Sequence, residues 1–375
     1  MAGRVTPLVD HHRALGARFT EFGGWEMPVQ YTGIIDEHLV VRQACGLFDL
    51  SHMGEVEIKG PLALEFAQWV LTNDITKVAP GRVQYSLLCN EAGGIIDDLL
   101  VYRHLDYVTL AVNASNTTKD VEWLLQQASQ PPYQGKVEIA NVGETRAILA
   151  VQGPMAPKVM EAVGLEVLDL PYMAFCLLGD KGELMISRTG YTGELGYELY
   201  MPAADAPLWW TRFMSLAEPM GLKPVGLGAR DTLRLEMGYT LYGNDIDEST
   251  TPWEAGLGWA VKLDKDFIGR EALAACKDKT SRRLVGFMLQ DRGIARRGYT
   301  IQASGQPVGE VASGCMSPSL GRAIGLAYVD IPWAKVGTPI EIVIRGKAVA
   351  AEIASLPFVP SRVKDTVSKS TENQD

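Results

Sequence analysis

Polar and apolar positions alternate over residues 54–59 (GEVEIK), which is the period of a strand with one face on a core. A helical period follows, with Pro61 in its first turn and apolar positions through about Leu71. Two more strand-like runs, 85–89 and 95–103, are separated by NEAGG, a turn composition. Because strand and helix periods alternate, the pattern predicts an α+β chain.

The same alternation continues to about residue 237. It predicts strands at 107–113, 137–140, 146–151, 183–188 and 197–200. It predicts helices at 118–127 with Asn116 or Thr117 as the cap, at 154–163, through Trp209, and at 229–237.

The pattern changes beyond about residue 280, where the helical period disappears. Short β-like runs follow one another, separated by Gly and Pro: LVGFML, QPVGEVAS, RAIGLAYV, TPIEIVIR and KAVAAEIAS. This spacing predicts a small antiparallel barrel or sandwich. The residues beyond Arg362 are polar, and we expect them to be disordered.

Composition restricts the class of protein. With 375 residues, 47% of them hydrophobic, the chain has material for two or three packed modules. A net charge of −10 argues against nucleic-acid binding, so an anionic ligand would need locally placed Arg or Lys. No apolar run has the length of a membrane span or a secretory signal, and we expect no membrane partner. Five scattered cysteines without a CxxC pair favour a reduced cytoplasmic protein, and the five histidines lack metal-ligand spacing.

Five stretches combine glycine with polar groups in a way that a plain core does not need. They are FGGWEMPVQY (22–31), GLFDLSHMG (46–54), NEAGGIIDDLLVYR (90–103), RTGYTGELGYEL (188–199) and GLGARDTLRLEMGYTLYGNDIDESTTPWEAGLGW (226–259). In order and separation they resemble the glycine cleavage T-protein (aminomethyltransferase) family. The resemblance covers nearly the whole chain, from Thr6-Pro7-Leu8 to Phe358-Val359-Pro360.

The resemblance implies a multi-module cloverleaf. Its parts would be a folate-binding α+β region of two interleaved modules over residues 1–275, a C-terminal antiparallel β-barrel module over 280–362, and a disordered tail over 363–375. The implied activity is tetrahydrofolate-dependent aminomethyl transfer in glycine cleavage. The one-carbon unit would come from the aminomethyl-dihydrolipoyl H-protein, with release of ammonia and formation of methylenetetrahydrofolate. Tetrahydrofolate would be a co-substrate, the H-protein the partner, and no metal would be needed.

Asp97 and Asp98 form the first candidate constellation. Successive strand residues face opposite ways, so only one of the two can point into a cavity. The residues alone do not choose between them, and a pair of solvated carboxylates is the plainer interpretation of such a dipeptide. The family resemblance selects Asp97 as catalytic. A fixed carboxylate there would stabilise the iminium-like charge that develops as the one-carbon unit moves, or relay a proton.

Glu198 and Arg230 form the second constellation. A pterin ring presents an amide N–H and an amino group, and a carboxylate can accept from both. The resemblance selects Glu198 over Glu194, and Arg230 would fix that glutamate or bond the ring carbonyl. An ordinary salt bridge of Arg230 with Asp231 is the alternative.

A further set of contacts to the pterin and aminobenzoyl rings is expected around these residues. It consists of Asn113, Trp259, Tyr102, Tyr172 and Met53. Arg292, Arg296 and Arg297 form a basic loop that either docks the H-protein, which tends to be acidic, or is simply solvated.

Two other functions remain open. One is a folate-dependent demethylase of the same superfamily, although no GxGxxG unit for a flavin domain precedes the motifs. The other is a non-enzymatic folate-binding regulator, whose KGC-type motif is absent from the sequence.

Overall fold

A computed structural model of the protein describes residues 3–167, 169–180 and 182–364. Its strands are β1 Arg4–Val5, β2 Arg18–Phe22, β3 Trp25–Gln30, β4 Cys45–Asp49, β5 Gly54–Lys59, β6 Arg82–Cys89, β7 Ile95–Arg103, β8 Val108–Val112, β9 Glu138–Asn141, β10 Arg146–Gln152, β11 Phe175–Leu178, β12 Leu184–Ser187, β13 Gly196–Pro202, β14 Leu222–Pro224, β15 Arg282–Leu289, β16 Thr300–Ala303, β17 Gln306–Ser317, β18 Arg322–Asp330, β19 Pro339–Ile344 and β20 Lys347–Ala354. Its α-helices are α1 Val9–Ala14, α2 Ile34–Gln43, α3 Ala63–Val70, α4 Thr117–Ala128, α5 Ala156–Ala162, α6 Ala206–Ala217, α7 Leu227–Glu236 and α8 Arg270–Cys276. None of these helices is long and apolar enough to cross a membrane. The predicted disordered tail falls mostly on residues 365–375, outside the described residues.

The strands form three open sheets and one closed barrel. The sheets have the orders β1-β3-β2, β11-β12-β13-β10-β4-β14 and β6-β7-β8-β5-β9, and the barrel has the order β15-β18-β17-β16-β19-β20. Every pairing in the barrel is antiparallel. The α+β class and the C-terminal antiparallel barrel are therefore confirmed. The sequence pattern did not identify β16, which has only four residues.

The six-stranded sheet is buried on both faces. On β10, Ala147, Leu149 and Val151 point into a core with α5 and α6, whereas Ile148 and Ala150 point the other way. That second face packs against the five-stranded sheet and shares an apolar cluster with it. A continuous apolar run such as AILAV is what a strand covered on both sides requires.

The five-stranded sheet is likewise covered on both faces. Leu99 and Val101 of β7 lie in a core with α3 and α4, while Leu100 and Tyr102 face the six-stranded sheet. The strand pair β6–β7 has the antiparallel register Leu88↔Asp97 and Leu87↔Asp98. The two sheets thus pack against each other through a common apolar layer.

A buried ion cluster joins the open sheets to the barrel. The Arg42 guanidinium on α2 bonds Glu194 at 2.9 Å and Glu236 on α7 at 2.9 and 3.1 Å. Glu236 also accepts hydrogen bonds from the Ser317 hydroxyl (2.5 Å) and from the backbone and side chain of Ser319 in the barrel. Burial alone would raise the pKa of Glu236, but hydrogen bonds from His38 and Ser317 and the charge of Arg42 outweigh it and lower the pKa to about 2.

The segment after β20 returns to this cluster. The Phe358 amide donates to the Glu236 carbonyl at 2.8 Å, and the Arg362 amide donates to the Gly193 carbonyl at 2.7 Å. The Arg362 side chain reaches the Arg42 carbonyl at 3.1 Å and Glu194 at 3.5 Å. The C-terminal part of the described chain therefore closes over residues that lie far earlier in the sequence.

Arg42→Met should lower the free energy of unfolding by about 3–5 kcal/mol, because it removes the guanidinium that pairs with two buried carboxylates. Arg4→Met is the matched control, since the Arg4–Glu144 pair is 50% and 70% exposed, and it should cost about 0–1 kcal/mol. Denaturant unfolding at neutral pH measures both. Equal losses in the two variants would contradict the assigned role of the cluster.

Candidate active site

The two adjacent aspartates of β7 face different environments. Strand alternation sends Asp97 to the side of α4 and Asp98 to the side of the six-stranded sheet, with Leu100 and Tyr102. Asp97 is fully buried, whereas Asp98 is half-buried. The structure therefore separates two groups that the sequence alone could not distinguish.

Amide donors enclose the Asp97 carboxylate. It accepts hydrogen bonds from the Asn113 amide N–H (3.1 Å), the Asn113 Nδ2 (2.8 Å) and the Asn116 Nδ2 (2.6 Å). Asn116, one of the two residues predicted as the cap, is the N-cap residue of α4, but its side chain bonds Asp97 instead of capping the helix. Burial raises the pKa of Asp97 in spite of these donors.

The Asp98 carboxylate lies beside aromatic groups. It accepts from the Tyr85 hydroxyl at 3.0 Å and from the Asn113 Nδ2 at 2.9 Å. The Tyr85 ring stacks on Trp259, with centroids 5.2 Å apart, and Trp259 is 58% exposed. Burial, and then the charge of Asp97, raises the pKa of Asp98 to about 7. A carboxyl group with that pKa can hold or release a proton near neutral pH.

Glu198 on β13 is a carboxylate with one oxygen that accepts no hydrogen bond from the described residues. Its Oε2 accepts from the Thr189 hydroxyl at 2.5 Å and the Tyr200 hydroxyl at 3.2 Å. Within the described part of the chain, Oε1 accepts no hydrogen bond. Glu194, the alternative considered from sequence, is bonded to Arg42 and Arg362 in the ion cluster. Of the two glutamates, Glu198 is thus the one with an oxygen to offer a ligand.

Arg230 on α7 is a cation that has no acidic partner among the residues that the structure describes. Its guanidinium lies over the Tyr191 ring, 4.7 Å from the centroid, and among the described residues it forms no ion pair with Asp231 or Glu198. The expected hydrogen bond to Glu198 is therefore not observed, and Asp231 pairs instead with Arg234 at 2.8 Å. Burial lowers the pKa of Arg230, but a guanidinium stays charged at neutral pH. A half-buried cation without an acidic partner among the described residues favours a ligand with an anionic or carbonyl oxygen.

Tyrosine rings connect these polar groups. Burial raises the pKa of Tyr191, whose ring lies against the Arg230 guanidinium and whose hydroxyl donates to the Thr240 carbonyl. Tyr191 stacks on Tyr239 at 5.6 Å between centroids. We call Tyr85, Asp98, Tyr191, Glu198 and Arg230 the inter-sheet site. Sequence reasoning missed Tyr85, Tyr191 and Tyr239, although the last two lie within the glycine-rich motifs.

The other residues predicted to contact the ligand differ in how deeply their side chains are buried. Tyr172 is half-buried near Glu198, whose charge, after burial, raises the pKa of the tyrosine. Met53 is half-buried against the apolar layer between the sheets. Tyr102 is fully buried, and its hydroxyl bonds Tyr200 at 2.6 Å. Its contact with a ligand stays a prediction; in the structure the Tyr102 hydroxyl contacts Tyr200, whose hydroxyl donates to Glu198 at 3.2 Å.

This arrangement suits a planar, polar heteroaromatic ligand. Tyrosine rings supply stacking surfaces, Glu198 supplies an acceptor for N–H groups, and Arg230 supplies a donor for a carbonyl. Asp98 adds a carboxylate that can stabilise positive charge developing on the ligand's reaction partner.

Comparison with known proteins gives matches over almost the whole chain. Residues 8–265 match the model of the GCVT N-terminal domain, and residues 282–360 match that of the glycine cleavage T-protein C-terminal barrel domain. The aminomethyltransferase of Halothermothrix orenii is 51% identical over 361 residues, covering 95% of this chain and 100% of that protein. The aminomethyltransferase of Desulforamulus reducens is 49% identical, covering 96% and 98%. The crystal structure of glycine cleavage system aminomethyltransferase T from Bartonella henselae is similar, with a TM-score of 0.91, 36% identity, and coverage of 96% and 99%.

Tyr85→Phe should raise the pKa of Asp98 from about 7 by roughly one unit, because it removes a hydrogen bond to the charged form. A pH titration of the labelled Asp carboxyl carbons by NMR measures the midpoint. Tyr133→Phe, in the core beside α3, removes a hydroxyl far from Asp98 and should leave that midpoint in place. A midpoint that stays or falls in Tyr85→Phe would show that the phenol does not stabilise the carboxylate.

Proposed function

Because this chain belongs to the glycine cleavage T-protein family and is an aminomethyltransferase, we propose that its acceptor is tetrahydrofolate. The donor in this proposal is the aminomethyl group on the dihydrolipoyl arm of an H-protein. The products are ammonia, the dihydrolipoyl carrier and methylenetetrahydrofolate. The observation that carries the proposal is that the Arg230 guanidinium lies over the Tyr191 ring and feels the charge of Glu198, one of whose oxygens accepts no hydrogen bond from the described residues.

The pterin ring fits the Glu198 side of this site. Glu198 Oε1 would accept from the ring N–H and the amino group, and Arg230 would donate to the ring carbonyl. Tyr172 and Met53 would border the ring. Asn113 Oδ1 accepts no hydrogen bond among the described residues and would face the ligand, while the exposed ring of Trp259 would cover the aminobenzoyl group.

The chemistry requires a carboxylate near the migrating carbon. In the overall reaction the C–N bond to ammonia and the C–S bond to the lipoyl arm break, and two bonds to folate nitrogens form. The two folate N–H protons balance the protons gained by the ammonia nitrogen and the sulfur. A positive charge develops on the migrating carbon between the breaking of the old bonds and the formation of the new ones. A negative carboxylate stabilises that charge. A carboxyl group that titrates near neutral pH can also accept one of the folate protons.

Asp98 has the better geometry for this role. The family resemblance selected Asp97, and that assignment stays a prediction. The Asp97 carboxylate is fully buried behind Asn113 and Asn116, whereas Asp98 faces the six-stranded sheet beside Tyr85. We therefore place Asp98 at the reacting atoms and Asp97 behind it, as the group that holds Asn113.

Turnover with tetrahydrofolate and an aminomethylated lipoyl carrier, followed by ammonia release, tests the function and both aspartates. Asp98→Asn should lower kcat roughly a hundredfold or more. Asp97→Asn acts only through Asn113 and should lower it roughly tenfold. Circular dichroism establishes that both variants fold.

Several outcomes would change the assignment. A severe loss only in Asp97→Asn would return the catalytic role to Asp97. No ammonia from the wild-type chain with the carrier would refute the transferase substrates. Methylenetetrahydrofolate formed instead from sarcosine or dimethylglycine would support the demethylase alternative.

The other parts of the proposal concern organisation and location. We propose that the folate-binding region spans residues 1–275 and the barrel module 280–362. We also propose that the reaction uses no metal and that the protein is cytoplasmic. All five cysteines are free thiols, as a reducing compartment requires.

The barrel loop with Arg292, Arg296 and Arg297 is proposed as the docking surface for the carrier. All three side chains are exposed, in a protein whose net charge is −10. A local basic surface is the means by which such a chain can attract an acidic partner.

Replacing Arg296 and Arg297 with Glu should raise KM for the carrier roughly tenfold without changing folate affinity, and added salt should shrink the defect. The double variant Lys335→Glu, Lys347→Glu makes the same charge change at other exposed barrel positions and is the control. Normal use of the carrier by the arginine variant at low ionic strength would mean that the loop is only solvated.

A further inference from the structure

A third carboxyl group lies behind the two aspartates of β7. Asp120, in the first turn of α4, is fully buried, and its side chain is a hydrogen-bond neighbour of the equally buried Asp97. No N–H or O–H donor of the described residues other than that carboxyl group reaches either oxygen of Asp120. Two carboxyl groups can bond to each other only if one of them keeps its proton.

The donors show which of the two keeps it. Asp97 accepts from two amide side chains and one backbone N–H, all of which stabilise its charged form. Asp120 has no such donors, so the proton belongs on Asp120. Burial, and then the charge of Asp97, raises the pKa of Asp120 to about 10. The pair therefore carries one negative charge at neutral pH.

The other charged and titratable groups around the pair do not replace this proton. Lys119 acts on Asp120 but bonds the Ile96 carbonyl, the Tyr242 hydroxyl and Glu248. From β7 and β6, Asp98 and Tyr85 lie on the far side of Asn113. The charges of Asp97, Glu248, Asp247 and Asp120 all act on Tyr242, whose hydroxyl donates to the Ile95 carbonyl and accepts from Lys119.

We propose that Asp120 is a positioning residue, whose protonated carboxyl fixes Asp97 and, through Asn113, the partner of Asp98. In this proposal the buried Asp120 carboxyl, whose oxygens accept from no N–H or O–H donor of the described residues, donates its proton to Asp97. Asp97 in turn accepts from the Asn113 amide groups, and the Asn113 Nδ2 donates to the Asp98 side chain at 2.9 Å and to its carbonyl at 3.0 Å. This inference rests on the proposed function for its effect on turnover. The protonation of Asp120 is a property of the fold, so it can be measured without any substrate.

The first test measures unfolding by denaturant between about pH 5 and 9. A group whose pKa is raised by folding stabilises the protein at low pH, and that stabilisation is lost as pH rises toward the folded-state pKa. Relative to Asp120→Asn, which has no such proton, the folding equilibrium constant of the wild type should fall about tenfold per pH unit. Glu122→Gln, on the exposed face of the same helix, should show no such slope against the wild type. A pH-independent ratio of wild type to Asp120→Asn would mean that Asp120 is ionised, and would overturn the proposal.

The second test uses turnover. The side-chain amide introduced by Asp120→Asn can donate to Asp97 as the protonated carboxyl does, so this variant should keep kcat within about threefold and leave the acid limb of its pH profile in place. Asp120→Leu fills a similar volume without a donor and should lower kcat roughly tenfold, as Asp97→Asn does, with little change in KM for folate. Equal losses in the two variants, or a KM effect alone, would contradict a positioning role. If the wild type does not turn over, the proposed function fails, whereas the unfolding slope still decides the state of Asp120.

Discussion

The burial of the Arg42 guanidinium is the constraint on which the rest of the structure depends. A charge removed from water must be met by opposite charges and acceptors, and here these come from separate parts of the chain. Glu194 belongs to the glycine-rich motif, Glu236 to α7, and Ser317 and Ser319 to the barrel. All must be assembled for the cluster to be fully bonded, and Arg362 supplies the second positive charge for the two glutamates. Glu194 is bonded to Arg42 and Arg362 within this cluster. Glu198, four residues later, lies outside the cluster, and its Oε1 accepts no hydrogen bond from the described residues.

The local pattern of polar and apolar residues predicted much of the fold. Strand alternation at 54–59 and 95–103 and the apolar runs after residue 280 each correspond to strands of the structure. The same rule showed that the two adjacent aspartates face opposite sides. It could not say which side holds the site, because that depends on which sheet packs against which face.

The parts that sequence reasoning missed are set by long-range packing. Tyr85 becomes a site residue only because the strand pairing and Trp259 hold it beside Asp98. Tyr102 is an aromatic residue of the kind expected to contact a ligand, and packing of the two sheets buries its side chain fully. Asn116 was identified by its position at a helix start, and its side chain nevertheless serves Asp97. Such roles depend on partners far away in sequence, which no local period encodes.

The return of residues 358–362 to the ion cluster also bears on how the protein is made. Arg362 bonds the Arg42 carbonyl across 320 positions of sequence. During synthesis the N-terminal sheets emerge from the ribosome long before this segment exists. Until it arrives, the carbonyls of Gly193 and Glu236 and one side of Glu194 lack their final partners. Until residues 358–362 have left the ribosome, these polar groups of the ion cluster therefore remain accessible to water.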